Sequence, residues 1–404
     1  MKNLIVAQSG GPTATINATL CGVIEQAKKL KIDNIYGARY GIKGLLKEDI
    51  VELNNIKEED LKLLKLTPGS VLGSCRYKLK DFKEDETEYE KILDILKKYS
   101  IEYFIYIGGN DSMDTADKFS KYLKEKNIKN ISTIGAPKTI DNDLELTDHC
   151  PGFGSAAKYI ATVFKEIEKD TCVYDVDAIT LVEIMGRDTG WLTASSCLCR
   201  SEKESGPSLI YCCETPFKIE KFLEDIENKL KEKPNVLIAL SEGIRNEKNK
   251  LISKEETTQE KDMFGHLNNA GAAKFLENIV KKNFRIKTRS IELNILQRSA
   301  AHLISAVDLE ESFEVGKNAV LFAKERKDGN MVAIKRKNTE NYEVEYICVP
   351  LEKVSNRVKK MPLDFISKDG VDVTKKAISY LKPLILGQTN LSFYKGTPEF
   401  FNLV

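Results

Sequence analysis

Short apolar segments that stop abruptly at small or polar residues recur along this chain. Five of them cover residues 3–8, 103–107, 131–134, 179–185 and 236–240. Each has the length and composition of a buried parallel strand that ends in a loop. Between them, apolar residues recur every three or four positions, as on one face of a helix, over 16–30, 112–126 and 154–169. The repeated order of strand, loop and helix predicts a doubly wound α/β sheet.

The pattern changes in the last hundred residues. A helix is predicted over 310–327, and after a turn the alternating segments 331–335 and 342–349 predict a β-hairpin. A closing helix is predicted near 374–381. The segment 245–262 is rich in charges of both signs and poor in apolar residues, which predicts a solvated loop, with a mobile lid as the alternative.

Composition narrows the class of protein. The 404 residues include 62 basic and 61 acidic side chains, a formal net charge of +1. The length predicts roughly two or three domains. The absence of a basic excess argues against nucleic acid or an anionic membrane as a partner. No apolar run approaches the roughly 18 residues of a membrane span, so we expect a cytoplasmic protein.

Cysteine and histidine indicate no metal or disulfide framework. The nine cysteines are an odd number and contain no CxxC pair, so we expect them to serve as small core residues. The three histidines have no zinc-ligand spacing.

In doubly wound sheets, ligands bind beyond the carboxyl ends of the strands, so the loops there are the places to look for chemistry. The first loop, residues 9–17, carries two glycines that let backbone N–H groups approach a phosphate, and the following helix N-terminus adds positive potential. A tight turn is the alternative. The loop matches neither GxGxxG nor GxxxxGK[ST], which disfavours dinucleotide binding and P-loop hydrolysis. The second loop, residues 108–112, repeats this geometry, with Asp111 or Ser112 as a plain helix N-cap in the alternative interpretation.

The third loop, residues 137–143, carries two carboxylates beside an ammonium and a hydroxyl. One aspartate can deprotonate a hydroxyl while Lys138 neutralises charge on an attacked phosphoryl group. The structural alternative is a turn rich in Asp and Asn. Arg187, Arg289 and Arg298 add groups that bind phosphate in a bidentate fork, and together they favour anionic substrates over isolated surface ion pairs.

The chain resembles the phosphofructokinase family, and within it the pyrophosphate-dependent branch. The matching stretches follow the family's order over about residues 3–385 and are SGGPTATIN (9–17), LGSCR (72–76), IGGNDS (107–112), PKTIDND (137–143), PGFGSA (151–156), VEIMGRDTGWLT (182–193), ALSEG (239–243), DMFGH (262–266) and LQRS (296–299).

The resemblance implies two doubly wound, Rossmann-like lobes with the active site in their cleft. One lobe would comprise 1–140 with about 300–350 and hold pyrophosphate. The other would comprise 141–299 with about 351–404 and hold fructose 6-phosphate. The implied reaction is reversible phosphoryl transfer to the 1-hydroxyl of fructose 6-phosphate, giving fructose 1,6-bisphosphate, with Mg²⁺ on the donor. Sedoheptulose 7-phosphate stays open as a further substrate.

Site residues follow from the resemblance position by position. Asp141 resembles the general base, assisted by Lys138, Thr139 and Asp143. The donor side would be lined by Gly11, Ser74, Arg76, Gly109 and Asp111. The sugar phosphate would be held by Met185, Gly186, Arg187, Glu242, Arg289 and Arg298. Arg289 matches an arginine that the family supplies to a neighbouring subunit, which implies a homodimer or homotetramer.

Two residues indicate the donor. ATP-using relatives have Gly where Asp111 stands and a small neutral residue where Lys138 stands. A carboxylate about 4 Å from an α-phosphate costs on the order of 4 kcal/mol at an effective dielectric near 20, so Asp111 argues against ATP. Asn110 replaces an Asp that commonly binds the metal or its water shell, so no metal ligand is assigned. The alternatives are an ATP-dependent 6-phosphofructokinase and a non-catalytic regulatory subunit. A nucleotide-binding oxidoreductase is disfavoured by the missing GxGxxG.

Overall fold

The computed structural model describes residues 2–173, 176–201, 206–254 and 271–403. Its strands are β1 (Asn3–Gln8), β2 (Ile35–Ala38), β3 (Ile50–Glu52), β4 (Ile101–Gly108), β5 (Ser132–Pro137), β6 (Ala178–Ile184), β7 (Leu209–Tyr211), β8 (Asn235–Ser241), β9 (Lys287–Glu292), β10 (Asn330–Arg336), β11 (Val344–Pro350), β12 (Phe393–Tyr394) and β13 (Thr397–Pro398). Its α-helices are α1 (Ile16–Lys29), α2 (Gly41–Leu45), α3 (Glu58–Leu66), α4 (Thr87–Lys98), α5 (Asn110–Glu125), α6 (Phe153–Thr171), α7 (Trp191–Ser195), α8 (Ile219–Glu232), α9 (Ala272–Asn283), α10 (Leu296–Ser299), α11 (Ala306–Lys324) and α12 (Lys375–Leu381).

The chain divides into two compact units. Unit 1 comprises Met1–Ser155, Arg298–Lys359 and Ile385–Val404, and unit 2 comprises Ala156–Gln297 and Lys360–Leu384.

These boundaries differ from the predicted ones, because residues 141–155, 298–299, 351–359 and 385–404 lie with unit 1. Long-range hydrogen bonds explain the difference. The backbone N–H of Lys359 donates to the carbonyl oxygen of Asp143 at 2.8 Å. The hydroxyl of Ser305 donates to the carbonyl oxygen of Leu386 at 3.0 Å.

Unit 1 is built on a seven-stranded sheet in the order β11-β10-β5-β4-β1-β2-β3. The strands from β10 to β2 run parallel, and the edge strands β3 and β11 are antiparallel to their neighbours. Alternate residues of each central strand enter two different cores. Ile5 and Phe104 pack on one face, whereas Leu4 and Ile105 pack on the other. Burial on both faces explains why these strands are nearly continuous apolar runs.

Unit 2 contains a four-stranded parallel sheet in the order β7-β8-β6-β9. Residues of α8 and α9, including Phe222 and Leu276, pack with strand residues such as Leu181 and Ile238 in one apolar core. The mainly parallel sheet of unit 1 and the parallel sheet of unit 2, both packed against helices, confirm the predicted α/β class. In the part of the chain that the structure describes, every helix is too short or too polar to cross a bilayer.

The predicted elements are confirmed where periodicity was strong. The strand over 3–8 has the predicted bounds, and β10 and β11 form the predicted antiparallel hairpin. The patterns did not reveal the four-residue strand β2 or the edge strands β3, β7 and β9. β3 and β9 are only half-buried and lack an apolar run, and β7 has three residues. Of the predicted loop 245–262, the part after residue 254 lies outside the described residues.

Helices α1 and α11 cross on the same face of the first sheet at a pair of glycines. A Cβ added to Gly22 would collide with the carbonyl oxygen of Phe313, and one added to Gly316 would collide with that of Thr19. The backbones of the two helices are therefore in direct contact, and α11 can pack against α1 at this distance only because both positions are glycine.

Replacing Gly22 by Ala should destabilise the protein by about 1–3 kcal/mol, because the two helices must separate to admit the methyl group. Urea denaturation followed by circular dichroism measures the change. Glu25→Ala, at an exposed position of the same helix, is the matched control and should change stability by less than about 0.5 kcal/mol. Equal stability of the two variants would show that the helix contact tolerates a larger spacing.

Candidate active site

The three predicted loops lie side by side in unit 1. They follow β1, β4 and β5, which are adjacent and parallel, so their carboxyl ends share one edge of the sheet. Backbone hydrogen bonds join the loops directly. Ser9 N–H donates to the carbonyl oxygen of Ile107, and Lys138 N–H donates to that of Gly108, each at 2.9 Å. The sheet therefore brings together groups that are far apart in sequence.

Lys138 joins the third loop to the first. Its side chain is only 2% exposed, and its ammonium donates to the carbonyl oxygen of Gly11 at 2.6 Å. Burial lowers the pKa of Lys138 to about 8, because it disfavours the charged form more than the nearby carboxylate of Asp141 favours it. The positive charge of Arg298 lowers this pKa further. A buried cation thus stands beside the backbone of the first loop.

The predicted donor-side residues Ser74 and Arg76 belong to a segment that lies against the first loop. Ser74 donates from its hydroxyl to the carbonyl oxygen of Gly10 at 2.6 Å. The backbone N–H of Gly10 donates to the carbonyl oxygen of Cys75 at 3.2 Å. Arg76 is exposed. The segment therefore supports the turn and leaves one guanidinium accessible to solvent.

Arg298 lies beside Gly11 of the first loop, although the resemblance assigns this arginine to the sugar phosphate. A Cβ added to Gly11 would come within 2.9 Å of its Nη1 atom. The missing side chain at position 11 therefore makes room for the guanidinium. Unit 1 brings Arg298, Lys138 and Gly11 together.

The second loop is capped differently from the prediction. Helix α5 begins at Asn110 with Gly109 as its N-cap, so the alternative of a cap at Asp111 or Ser112 is wrong. The hydroxyl of Ser112 fills the place that a side chain at residue 108 would need. Asp111 is exposed at the first turn of the helix. Its carboxylate thus faces solvent close to the positive end of the helix dipole.

Asn110 forms hydrogen bonds with both ends of its amide. Its Oδ1 atom accepts from the backbone N–H of Asn356 at 2.8 Å, and its Nδ2 group donates to the carbonyl oxygen of Arg357. The amide is therefore engaged with the protein backbone. In the described ranges, no three His, Cys, Asp or Glu side chains gather as a metal-binding group.

The third loop forms a turn through Thr139 and Asn142. The backbone N–H of Asp141 donates to the hydroxyl of Thr139 at 3.1 Å. Asn142 is buried in a left-handed conformation with φ of 54°, and its Oδ1 atom accepts from the N–H of Cys150 at 3.0 Å. Asp141 and Asp143 are half-buried on either side of it. The turn therefore carries two carboxylates about a fixed asparagine.

A buried charge network lies just after this turn and was missed from the sequence. His149 is 1% exposed and contacts Asp148 at 2.8 Å through Nδ1 and Glu311 at 2.6 Å through Nε2. Arg336 donates to Asp148 at 3.0 Å, and Tyr342 donates to Glu311 at 2.7 Å. Burial opposes the charged imidazole, but the two carboxylates outweigh it and raise the pKa of His149 to about 9. The Asp148-His149 pair, which begins five residues after the end of the PKTIDND stretch, was the available signal.

Unit 2 brings together four of the predicted sugar-phosphate residues. Met185, Gly186 and Arg187 follow β6, and Glu242 follows the adjacent strand β8. The N–H of Gly186 donates to a carboxylate oxygen of Glu242 at 3.2 Å, and Arg187 lies 3.7 Å from the same atom. The side chain of Arg187 is 72% exposed. The carboxylate of Glu242 thus holds the exposed guanidinium of Arg187 at the end of β6.

Arg289 does not lie at a strand end. It pairs with Thr180 in the middle of β9, and its guanidinium contacts Asp170 at 3.3 Å. The strand continues to Glu292, so Arg289 lies three residues before its carboxyl end, whereas Arg187 follows the end of β6. The matching stretch 262–266, including His266, lies outside the described residues.

The chain belongs to the phosphofructokinase family, whose model, described as Phosphofructokinase, matches residues 3–322. It is 39% identical to the pyrophosphate–fructose 6-phosphate 1-phosphotransferase of Xanthomonas campestris pv. campestris, covering 99% of this chain and 96% of that protein. It is 36% identical to the protein of the same name from Methylococcus capsulatus, covering 100% and 96%. The crystal structure of a pyrophosphate-dependent phosphofructokinase from Marinobacter aquaeolei superposes with a TM-score of 0.88 at 36% identity, covering 100% of this chain and 96% of that one.

The His149 network predicts a pH-dependent stability. Because the folded pKa is raised above the unfolded value of about 6.5, the stabilisation is complete below about pH 6.5 and is lost as the pH rises through about 9. Measured relative to His149→Gln, so that the oppositely directed titration of Lys138 cancels, the wild-type free energy of unfolding should fall across this window by up to about 3 kcal/mol. His149→Gln should lack this fall. Denaturant titrations at several values between about pH 6 and pH 10 measure both slopes, and equal slopes would contradict the assignment.

Proposed function

We propose that this chain transfers a phosphoryl group reversibly from pyrophosphate to the 1-hydroxyl of fructose 6-phosphate, giving fructose 1,6-bisphosphate. The observation that carries the proposal is similarity over essentially the whole chain to relatives named for this reaction. The chain covers nearly all of those relatives, so donor and acceptor functions both fall within the compared length.

We assign the donor to unit 1 and the sugar phosphate to unit 2. The joined first, second and third loops support the donor assignment, because they combine backbone N–H groups with the ammonium of Lys138 and lie beside the guanidinium of Arg298. Gly11 and Gly109 belong to these loops, and Ser74 and Arg76 belong to the segment that lies against the first loop. In this proposal, Arg298 therefore contacts either a phosphate of the donor or the phosphoryl group that is being transferred. In unit 2, the exposed Arg187 and its partner Glu242 support binding of a sugar phosphate, with Met185 and Gly186 at the same strand end.

Asp141 is proposed to take the proton from the 1-hydroxyl. It stands two residues from Thr139 and Asp143 in the turn and close enough to Lys138 for their charges to interact. The carboxylate activates the hydroxyl, and the ammonium stabilises charge on the transferred phosphoryl group. Positioning and charge stabilisation then account for most of the catalysis.

Asp111 and Lys138 are proposed to select pyrophosphate over ATP. Because Asp111 is exposed, water weakens the repulsion between its carboxylate and an α-phosphate. At 4 Å in water this repulsion is about 1 kcal/mol, which corresponds to roughly fivefold in affinity. The larger value expected from the sequence applies only if the bound nucleotide excludes solvent. Lys138 offers a buried positive charge to a compact anion.

We assign a divalent metal ion, Mg²⁺, to the donor. Oxygen ligands suit this ion, and Asp141 and Asp143 are the loop carboxylates that could supply them with the phosphates. The amide of Asn110 is already engaged with backbone groups, so it is not included. When bound, the ion would neutralise phosphate charge.

A homodimer or homotetramer is also proposed. Its support is the match of Arg289 to an arginine that the family shares across subunits. Arg289 is about one-third exposed and lies near Asp170, so a phosphate would have to compete with that carboxylate.

Side-by-side assays test the donor. The purified chain should phosphorylate fructose 6-phosphate with Mg-pyrophosphate and at most weakly with Mg-ATP. Asp111→Gly should raise kcat/KM for ATP by roughly fivefold or more, because it removes the opposing charge.

Two results would contradict this proposal. Equal rates with both donors in the wild type would remove the role of Asp111 and favour the ATP-dependent alternative. Absence of activity with either donor, in a folded chain, would favour the regulatory-subunit alternative.

Asp141→Ser should lower kcat by about 10²–10⁴-fold with little change in KM, because it removes the general base and leaves the binding groups in place. Steady-state kinetics in pyrophosphate and fructose 6-phosphate measure both constants. Asp94→Ser, which changes an exposed carboxylate on α4, is the control and should retain wild-type kinetics. Nearly intact turnover of Asp141→Ser would assign the base to another residue.

A further inference from the structure

A short segment of unit 1 that carries none of the predicted site residues contacts both the second and the third loop. We call residues 356–359, which precede the second part of unit 2 in sequence, the strap. At its first end, Asn356 donates from its backbone N–H to Asn110 at 2.8 Å and from its side-chain amide to Asp114 at 2.6 Å. Asn110 donates in return to the carbonyl oxygen of Arg357. The strap is thereby fixed to the first turns of α5, next to Asp111.

The other end of the strap is Lys359, which forms hydrogen bonds with the turn that carries Asp141. Its backbone N–H donates to the carbonyl oxygen of Asp143 at 2.8 Å. Its ammonium donates to Oδ1 of Asn142 at 3.2 Å and to the carbonyl oxygens of Thr147 at 3.1 Å and Asp148 at 2.8 Å. An ammonium has three N–H donors, and these three acceptors match them.

The turn is consequently held at two points. On one side of Asp141, the backbone of Lys138 is bonded to Gly108 at the end of β4. On the other side, Asn142 and Asp143 are bonded to Lys359. Asp141 lies in the short stretch between these anchors, so its carboxylate can shift little while both are intact.

We propose that Lys359 is a positioning residue for phosphoryl transfer. Through the strap, it holds the Asp141 turn at a set distance from the second loop and hence from the donor. This inference rests on the proposed function for its catalytic consequence, whereas the anchoring itself is independent of it. A displacement of about 1 Å in a reacting group can cost on the order of 10²-fold in rate, so loss of the anchor should reduce turnover.

The strap also gives a reason for asparagine at position 110. A carboxylate there could still accept from the N–H of Asn356, but it could not donate to Arg357 and would face the carbonyl oxygen of that residue. The amide is the side chain that satisfies both contacts. Asn110 therefore acts as the second anchor of the strap.

The test compares Lys359→Met with Lys353→Met in kinetics and in hydrogen exchange. Methionine matches the apolar stem of Lys359 up to the ε position and removes the ammonium with its three donors. Lys353 is an exposed lysine six positions earlier. Lys359→Met should lower kcat by about 10²-fold with less than about threefold change in either KM. Amide exchange over residues 141–150 should accelerate, while exchange in β1 stays as in the wild type. Lys353→Met should leave both readouts unchanged.

A double-mutant cycle separates positioning from a general loss of structure. If Lys359 acts through Asp141, then Lys359→Met should cost little when added to Asp141→Asn. A full additional loss in that background would overturn the proposal, as would unchanged kcat or unchanged exchange in the single variant. A wild type that is inactive with pyrophosphate and fructose 6-phosphate would refute the proposed function alone, because the exchange result still decides the anchoring.

The second anchor provides a variant in case Lys359→Met does not fold. Asn110→Asp should lower kcat and accelerate exchange over residues 141–150, because it breaks the bond to Arg357. If position 110 instead belongs to the metal site, the added carboxylate should raise activity and lower the Mg²⁺ concentration needed for half-maximal rate. That result would overturn the role of Asn110 in the strap.

Discussion

A buried lysine ammonium joins the first and third loops, and the donor side of the site depends on that bond. Burying a cation is expensive unless nearby groups compensate for lost hydration. Lys138 is compensated by the carbonyl oxygen of Gly11 and by the charge of Asp141. The pKa of Lys138 is still lowered, so these groups only partly replace the lost hydration, and a bound anion would stabilise the charged ammonium further. The same residue thus links the loops and prepares the site for phosphate.

The sheet supplies the frame on which this bond can form. Because β1, β4 and β5 are parallel neighbours, their loops emerge at one edge, and each loop can bond the backbone of the next. Unit 2 repeats the arrangement with β6 and β8, whose ends carry Arg187 and Glu242. The near-zero net charge of the chain therefore coexists with clusters of charged groups of both signs at the strand ends. Total charge describes solubility, whereas the placement of charges by the sheet determines which ligands bind.

Groups outside the family motifs complete the support of the third loop. Lys359 bonds the turn from one side, and the charge network of His149 fixes the residues just after it to α11 and to the hairpin of β10 and β11. A catalytic carboxylate at a loop is only as well placed as the groups that restrain the loop. The buried charges near this turn therefore have a clear physical use, although each carries a desolvation cost.

The sequence by itself determined the α/β class, the main strands and the loops that carry the chemistry. Apolar runs and glycine-rich turns are local patterns, and the motifs around Lys138 and Asp141 sufficed to indicate phosphoryl transfer. Only the tertiary structure decided which residues meet. It placed Arg298 beside Gly11, put Arg289 in mid-strand, and brought Lys359 to Asn142 across 217 positions. Hydrogen bonds between such distant residues leave no periodicity in the sequence, because their partners are set by how the strands are ordered in the sheet and by how the chain returns to it.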